Sequence, residues 1–286
     1  MQKDIIENIT NDMVKSINEH GTKWLKNWVG DSSMPINMVS KANYSGFNFF
    51  ILAGQHRQSG TWATIKQFKN AGIRIKYEEM SKATPIIYFK MLEDKKDPSK
   101  KIPLLRSYRV WNLDQSEDFQ PEKNLTPVEF NHAEAEQWVK NTQAKIEHGG
   151  NRACYSTVTD SISMPPKDSF IKTEDATAEQ NYYGTLFHEL THWTGHKTRM
   201  DRDMANHFGT KEYAYEELIA EMGACFQSVK FGIEPQEINA DHKKYIASWL
   251  KALKDDVKFI YKASAQANKS VRLLEDMQKE EDKKVA

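Results

Sequence analysis

Two histidines and a glutamate within five residues could hold a metal ion and activate a water molecule. The segment His188-Glu189-Leu190-Thr191-His192 places two imidazoles four positions apart, and a helix brings positions i and i+4 to one face. Both side chains can therefore reach one metal, whereas Glu189 lies about 100° around the helix. This pattern is typical of zinc-dependent peptidases. It predicts His188 and His192 as ligands and Glu189 as the general base.

The neighbouring residues predict a helix that can present this motif. Apolar residues in the run 181–196 recur three or four positions apart, which indicates one buried stripe with His188 and His192 beside it. Gly195 follows where the helix should end, and glycine is common just past helix C-termini. The stripe and the glycine favour a metal-binding helix over two ordinary surface or core histidines.

A catalytic zinc site needs a third protein ligand. The metzincin pattern requires a third histidine three residues after Gly195, where Thr198 stands. A second predicted helix at 213–226 instead carries Glu217 and Glu221, which are four positions apart and share a face. This spacing is similar to that of thermolysin-like and lethal-factor-like gluzincins, in which the first acid binds the metal and the second orients a ligand histidine. We therefore predict Glu217 as ligand and Glu221 as its support, with the reverse assignment as the alternative.

Other polar residues of this region have less specific assignments. Glu216 is expected on a solvated helix face. A residue that stabilises the oxyanion is also needed, and Tyr213, Tyr215 and His207 are candidates through their position in the sequence. Zinc is the predicted cofactor, and manganese or cobalt suits similar ligands.

A separate domain is predicted in front of the metal site. The polar stretch 114–127 contains two prolines and has no periodicity, as expected of a linker. We therefore predict an α+β protein with two domains, 1–125 and 126–286. The first is mixed α/β, with strands at 84–91 and 104–112, and the second is mainly helical.

Local patterns predict the remaining elements. Apolar spacing predicts helices at 48–58, 62–71 and 132–147, and a long helix at 239–277. Residues 153–164 are rich in Thr, Ser, Val and Ile, which predicts a strand.

Charge and composition limit the possible partners. The chain of 286 residues has 40 basic and 40 acidic residues, but residues 1–125 have 19 basic and 14 acidic side chains, whereas 126–286 have 21 and 26. The positive excess favours a polyanion as partner of the first domain. No apolar run reaches the roughly 18 residues of a membrane span, and the N-terminus lacks a secretory apolar region. We therefore expect no membrane association and a cytoplasmic location.

Longer stretches of the chain resemble a known family. HELTHWTGHKTRMDR followed by YAYEELIAEMGACF is similar to the C-terminal half of ArdC-type antirestriction proteins of conjugative plasmids. PINMVSKANYSGFNFFIL, TWATIKQFKNAGIRI and RSYRVWNLDQSED resemble the N-terminal domain of that family, which some plasmid primases share. One departure follows Ile73, where IKYEEMSKATPI replaces the basic Lys-Gly-Glu turn that the family often has.

The resemblance implies an N-terminal domain that binds single-stranded DNA and a C-terminal zincin-like metallopeptidase domain. Such proteins protect incoming mobile DNA from host restriction, and a host restriction component is then a candidate protein substrate. Binding of single strands needs basic residues and aromatic faces on which bases stack, and the stretch 41–74 offers both. The candidate DNA contacts are Lys41, Tyr44, Arg57, Trp62, Lys66, Lys69 and Arg74.

Two other functions stay open. The chain could coat single strands as a pure binding protein with a structural or vestigial metal site. It could also be a cytoplasmic metallopeptidase that does not act on DNA-bound targets. Antirestriction that survives Glu189→Ala would favour the first, and a DNA interaction that is absent or insensitive to salt would favour the second.

Overall fold

The computed structural model describes residues 2–29, 34–93, 101–121, 130, 132–174, 176–204, 210–234, 243–256 and 258–285. The chain divides into two compact units. The first comprises Met1–Asn11 and Asp31–Leu125, and the second comprises Asp12–Gly30 and Thr126–Ala286. Residues 12–30 therefore belong to the second unit although the first unit follows them in sequence. The functional ranges 1–125 and 126–286 stay a prediction.

Two helices precede the first strand. They are α1 (Gln2–His20) and α2 (Trp24–Val29), joined by a 3-10 turn at Gly21–Lys23. Gly21 has a φ of +55°, a conformation that side chains disfavour, so the chain can turn sharply between the two helices.

A four-stranded sheet forms the centre of the first unit. Its strands are β1 (Ile36–Asn37), β2 (Thr61–Ala63), β3 (Thr84–Glu93) and β4 (Lys101–Asn112), in the order β1-β2-β4-β3. β1 and β2 are parallel, whereas β4 is antiparallel to both β2 and β3. The strands predicted at 84–91 and 104–112 are thus confirmed as one long hairpin.

The first unit has a hydrophobic cluster on each face of this sheet. Successive side chains of a strand point to opposite faces, so Trp62 and Ala63 of β2 belong to different clusters. Trp62 packs with Leu52 of α3 (Phe47–Ala53), together with Ile86 and Val110. Ala63 packs on the opposite face, and its cluster includes Phe68 of α4 (Ile65–Asn70).

The helix predicted at 62–71 is wrong at its start. Residues 61–63 are a strand, and α4 begins only after Thr64. The Thr64 hydroxyl accepts a hydrogen bond from the Gln67 amide at 3.3 Å, and the Gln67 side chain accepts one from the Thr64 amide at 2.8 Å. This capping box fixes the helix start.

The second unit contains a small sheet and several helices. α5 (His132–Asn141) precedes β5 (Lys145–His148), β6 (Cys154–Ser156) and β7 (Ser161–Met164), and the strand order is β5-β7-β6. β5 is parallel to β7 and β6 is antiparallel to it. The later helices are α6 (Ala178–Thr194), α7 (Lys211–Lys230), α8 (Lys243–Asp255) and α9 (Phe259–Val285). Every helix in the described part of the chain is too short or too polar to cross a membrane.

Three predicted boundaries in this unit are wrong. The helix predicted at 132–147 ends at Asn141, because Gln143 adopts a φ of +57° and the chain then enters β5. The strand predicted at 153–164 is two strands, and the helix predicted at 239–277 is divided into α8 and α9.

The described part of the linker predicted at 114–127 begins with folded residues of the first unit, since Gln115 and Ser116 are buried.

The close approach of α6 and α7 depends on Gly223. A Cβ atom at Gly223 would lie 2.5 Å from Cγ2 and 2.6 Å from Oγ1 of Thr191, and Thr191 is fully buried. We expect Gly223→Ala to lower the free energy of unfolding by about 1–3 kcal/mol, the usual cost of overpacking, as measured by chemical denaturation. In a Thr191→Ala background this cost should shrink or reverse, because alanine favours a helix over glycine by about 1 kcal/mol. An equal cost in both backgrounds would show that this contact is not its cause.

Candidate metal centre

α6 is fixed at its start and along one side. Thr177 caps the helix: its hydroxyl accepts a hydrogen bond from the Gln180 amide at 3.1 Å, and its own amide donates to the Gln180 side chain at 2.8 Å. The predicted apolar stripe is buried in the core of the second unit, where it includes Tyr183, Leu186, Phe187, Leu190 and Trp193. The helix is therefore anchored at its start and along its apolar stripe, and His188 and His192 lie outside that stripe.

The structure brings His188, His192 and Glu217 together. Their ligand-type atoms all lie within 4.8 Å of one another, and each side chain belongs to a buried residue, at most 8% exposed. The two Nε2 atoms are 3.1 Å apart, and the carboxylate of Glu217 lies 3.6 Å from His188 Nε2 and 3.7 Å from His192 Nε2. Two nitrogens bound tetrahedrally to zinc at about 2.0–2.1 Å lie about 3.3 Å apart. The three side chains therefore fit one small divalent ion.

Each histidine has a carboxylate behind it. Glu221 Oε1 lies 3.5 Å from His188 Nδ1, and Glu216 Oε1 lies 3.0 Å from His192 Nδ1. A carboxylate at the second ring nitrogen fixes the tautomer and the orientation of a ligand histidine. Glu217 faces both Nε2 atoms and Glu221 faces one Nδ1 atom, which is the arrangement expected of a ligand and its support.

The expectation that Glu216 lies on a solvated helix face is wrong. Glu216 is 7% exposed, and Arg202 donates hydrogen bonds to its two carboxylate oxygens at 2.9 and 2.7 Å. Arg202 also donates to the hydroxyls of Thr194 and Ser270, each at 2.9 Å. Burial favours the neutral form of Glu216, but hydrogen bonds from His192 and Arg202 hold its pKa below the usual value. Glu216 is therefore a buried carboxylate that supports His192, and sequence reasoning missed both this role and Arg202.

Gly195 ends α6, as predicted, but for a different reason. Its φ is −74°, which any residue can adopt, so a left-handed turn does not require glycine here. A Cβ atom at this position would lie 2.8 Å from Nη2 of Arg202 and would also collide with the sulfur of Met204. The glycine instead leaves room for the arginine that holds Glu216.

The carboxylates of the site also determine its electrostatics. Burial alone lowers the pKa of His188, but the negative charges of Glu221, Glu217 and Glu189 outweigh burial and raise that pKa to about 10. Glu189 is itself buried, at 7% exposed. The same negative field that favours a proton on His188 would stabilise a divalent cation between the ligands.

The structure distinguishes two of the oxyanion candidates. Tyr213 lies four positions before Glu217 on α7 and therefore shares its face. Tyr215 packs against Phe259 with ring centroids 5.0 Å apart, and burial raises its pKa to about 12. His207 lies outside the described residues. Of these candidates, Tyr213 is thus the one that shares a helix face with Glu217.

The predicted aromatic DNA contacts do not present free rings. Trp62 is 2% exposed and belongs to the core of the first unit, so the prediction that it stacks on a base is wrong. Tyr44 is half-buried against the same cluster, and its hydroxyl accepts a hydrogen bond from the Asn37 amide at 3.1 Å. Arg57 lies 3.6 Å from the carboxylate of Glu79 and 3.5 Å from that of Asp114, which neutralise its charge. The other four candidates are exposed: Lys41, Lys66, Lys69 and Arg74.

Two family models match the chain. A model of the N-terminal domain of anti-restriction factor ArdC matches residues 3–111, and a model of zincin-like metallopeptidases matches residues 133–266. Among individual proteins, a DNA primase TraC of Escherichia coli is 32% identical over 94% of this chain. The chain spans only 20% of that primase. The uncharacterized protein y4eC of Sinorhizobium fredii is 30% identical, over 92% of this chain and 89% of its own length.

Two solved structures share the fold. The metal-free crystal structure of the antirestriction ArdC protein from plasmid R388 matches with a TM-score of 0.76 and 33% identity, over 96% of this chain and 97% of that one. The Mn(II)-bound structure of the same protein matches with a TM-score of 0.73 and 32% identity, over 95% and 97%. These matches confirm the predicted α+β fold with an N-terminal α/β part and a C-terminal zincin-like part.

Proposed function

Because this chain belongs to the family of ArdC antirestriction proteins, we propose that it binds single-stranded DNA and hydrolyses a protein at a metal site. The first unit would bind the DNA, and the site of His188, His192 and Glu217 would hold the metal. The protein would protect incoming mobile DNA through one or both activities.

A single observation carries the metallopeptidase proposal. The two Nε2 atoms and the Glu217 carboxylate converge within 4.8 Å in a buried site, while a carboxylate faces the other nitrogen of each histidine. Two histidines, one glutamate and a neighbouring general base are the set that catalytic zinc sites of the gluzincin type use. Zinc is the proposed ion, and manganese or cobalt suits the same donors. The Mn(II)-bound structure of the R388 protein supports a divalent ion in this fold.

The chain's own residues would transfer the proton, stabilise the oxyanion and orient the ligand histidines during the reaction. When bound, the metal ion would lower the pKa of a water molecule to about 7 and polarise the peptide carbonyl. Glu189 would take the proton of the attacking water and deliver it to the leaving amine. Tyr213 is the candidate donor to the oxyanion. Glu216 and Glu221 would keep the two histidines neutral at Nε2 and correctly oriented.

Pairing of the two activities in one chain suggests the class of substrate. A DNA-binding part raises the local concentration of an attached peptidase near other proteins on the same DNA. A host restriction component, or another protein bound to the incoming strand, is therefore the proposed substrate.

The metal and the DNA can be tested in one experiment on the full-length protein. We expect the wild type to hold one metal ion per chain by elemental analysis and to bind labelled single strands with an affinity that falls steeply with salt. A His192→Ala, Glu217→Ala variant should lose the metal and keep the DNA affinity, because the site lies in the other unit.

His196→Ala provides the matched control. This histidine lies just beyond α6 and contacts Thr198 and Asp160 rather than the ligand cluster, so the variant should keep its metal. A wild type without metal would refute the metallopeptidase proposal. A wild type that does not bind single strands would refute the DNA-binding proposal.

A further inference from the structure

Two tyrosines are exposed on one face of the β3–β4 hairpin. Tyr88 is 43% exposed and Tyr108 is 41% exposed, and their ring centroids lie 5.9 Å apart with an interplanar angle of 80°. The strand register explains this pair. Tyr88 is opposite Arg106, and Tyr108 is opposite Ile86, so the two tyrosines are diagonal neighbours on one face of the sheet.

This face changes character along the hairpin. At one end it forms the core, where Ile86 and Val110 pack with Trp62 and Leu52. Beyond Ile86 the same face reaches solvent at Tyr88 and Arg106, both exposed. Burial of a large aromatic side chain normally stabilises the fold, and an exposed ring does not contribute this free energy. Two such rings side by side therefore suggest a surface that a ligand covers.

The charge of the hairpin indicates which class of ligand covers this face. Residues 84–112 contain seven Lys or Arg and three Asp or Glu, which is most of the positive excess of residues 1–125. Arg106 is exposed on the face of β4 that carries Tyr108, whereas Arg109 is exposed on the opposite face. A basic surface with adjacent aromatic rings matches the phosphates and bases of a single-stranded nucleic acid.

Tyr77 is exposed as well, but its surroundings are acidic. It is 92% exposed on a 3-10 turn that continues into Glu78 and Glu79. Lys82 and Arg57 already lie beside the Glu79 carboxylate, at 2.6 and 3.6 Å. Because these two cations are already paired with Glu79 and Glu78 adds a negative charge, the turn attracts phosphates only weakly, so Tyr77 serves as a control.

We propose that Tyr88, Tyr108 and Arg106 form the surface on which bases of single-stranded nucleic acid stack. Bases would lie on the two tyrosine rings, and the Arg106 guanidinium would contact a phosphate. This inference rests on the proposed DNA-binding function. It assigns the aromatic contacts to the hairpin instead of to Trp62 and Tyr44.

The test measures binding of fluorescein-labelled oligothymidylate to the full-length protein by fluorescence anisotropy. Tyr88→Ala and Tyr108→Ala should each weaken binding about 5- to 150-fold, whereas Tyr88→Phe and Tyr108→Phe should stay within about threefold, because a phenyl ring still stacks. Arg106→Gln should weaken binding and reduce the slope of log affinity against log salt by about one. Tyr77→Ala should bind like the wild type.

Other outcomes distinguish failure of the hairpin surface from failure of the proposed DNA-binding function. Wild type that binds single strands while both tyrosine-to-alanine variants bind equally well would overturn the hairpin surface and leave the DNA-binding function standing. Absence of wild-type binding would overturn both. If the double alanine variant binds DNA like the wild type but forms a smaller oligomer, the face joins two copies of the chain instead. Photocrosslinking of the wild-type protein to a 5-iodouracil oligonucleotide should label the hairpin tyrosines. Labelling at other residues would contradict the proposal, and this test needs no substitution.

Discussion

Replacing Glu189 with glutamine is expected to lower the rate of peptide hydrolysis by about 10²- to 10⁴-fold, the usual contribution of a general base. Glutamine has the shape of glutamate but cannot take the proton of the attacking water. Glu189 is not one of the three clustered ligand residues, so the variant should hold as much metal as the wild type. Mass spectrometry of candidate restriction subunits and of a peptide library would measure the rate, and elemental analysis would measure the metal.

The same variant separates the possible modes of protection. If Glu189→Gln abolishes cleavage and also exposes incoming DNA to restriction, hydrolysis is the protective step. If protection persists without cleavage, single-strand binding alone is sufficient. Equal cleavage by the variant and the wild type would show that the hydrolysis does not arise at this site. The His196→Ala variant controls for general damage near the end of α6.

Replacing Arg202 with methionine is expected to lower the free energy of unfolding by about 3–5 kcal/mol, because it leaves the buried Glu216 carboxylate without its arginine. The Arg202 and Glu216 side chains are 7% and 9% exposed, so water cannot replace the lost hydrogen bonds. For a unit of this size the thermal midpoint should fall by about 6–20 °C. Metal affinity should fall by about 10- to 100-fold, since Glu216 also orients His192.

A double variant distinguishes the two consequences. Replacing Arg202 and Glu216 together with methionine removes the buried charges as a pair, and such replacements are often neutral or stabilising. We therefore expect stability to recover largely while metal affinity stays low. Lys197→Met is the matched control, because Lys197 is exposed on the same segment. Full stability of the single Arg202→Met variant would show that the charge pair is not required.

The metal ligands could be predicted from sequence because helical geometry is local. The spacing of His188 and His192, and that of Glu217 and Glu221, places each pair on one helix face without knowledge of the rest of the fold. The environment of Glu216 cannot be predicted in this way, because its partners come from elsewhere in the chain. Arg202 lies 14 positions before it, and no periodic pattern connects a loop arginine to a helix glutamate. The only available signal was the cluster of basic residues directly after α6.

The DNA contacts were harder to predict because composition does not say which way a ring points. Trp62 is in a three-residue strand whose alternation turns it into the core, and a pattern that short resembles the start of a helix. Likewise, local apolar spacing predicts helix where β5 lies, because β5 forms through pairing with β7, whose residues come 16 positions later in the chain. Tyr88 and Tyr108 come together only through the register of the hairpin.

The contact between Gly223 and Thr191 affects how a cofactor could enter and leave. This contact fixes the separation of α6 and α7 through side chains that do not bind the ion, and Arg202 fixes the orientation of His192 and Glu216 in the same way. The positions of the ligands therefore depend on packing and on Arg202, whereas a zinc finger folds only around its metal. Loss of the ion need not unfold the protein, and reloading needs no refolding. Which divalent ion occupies the site would then depend on the ligand types and on which ions are available, because manganese, cobalt and zinc suit similar donors.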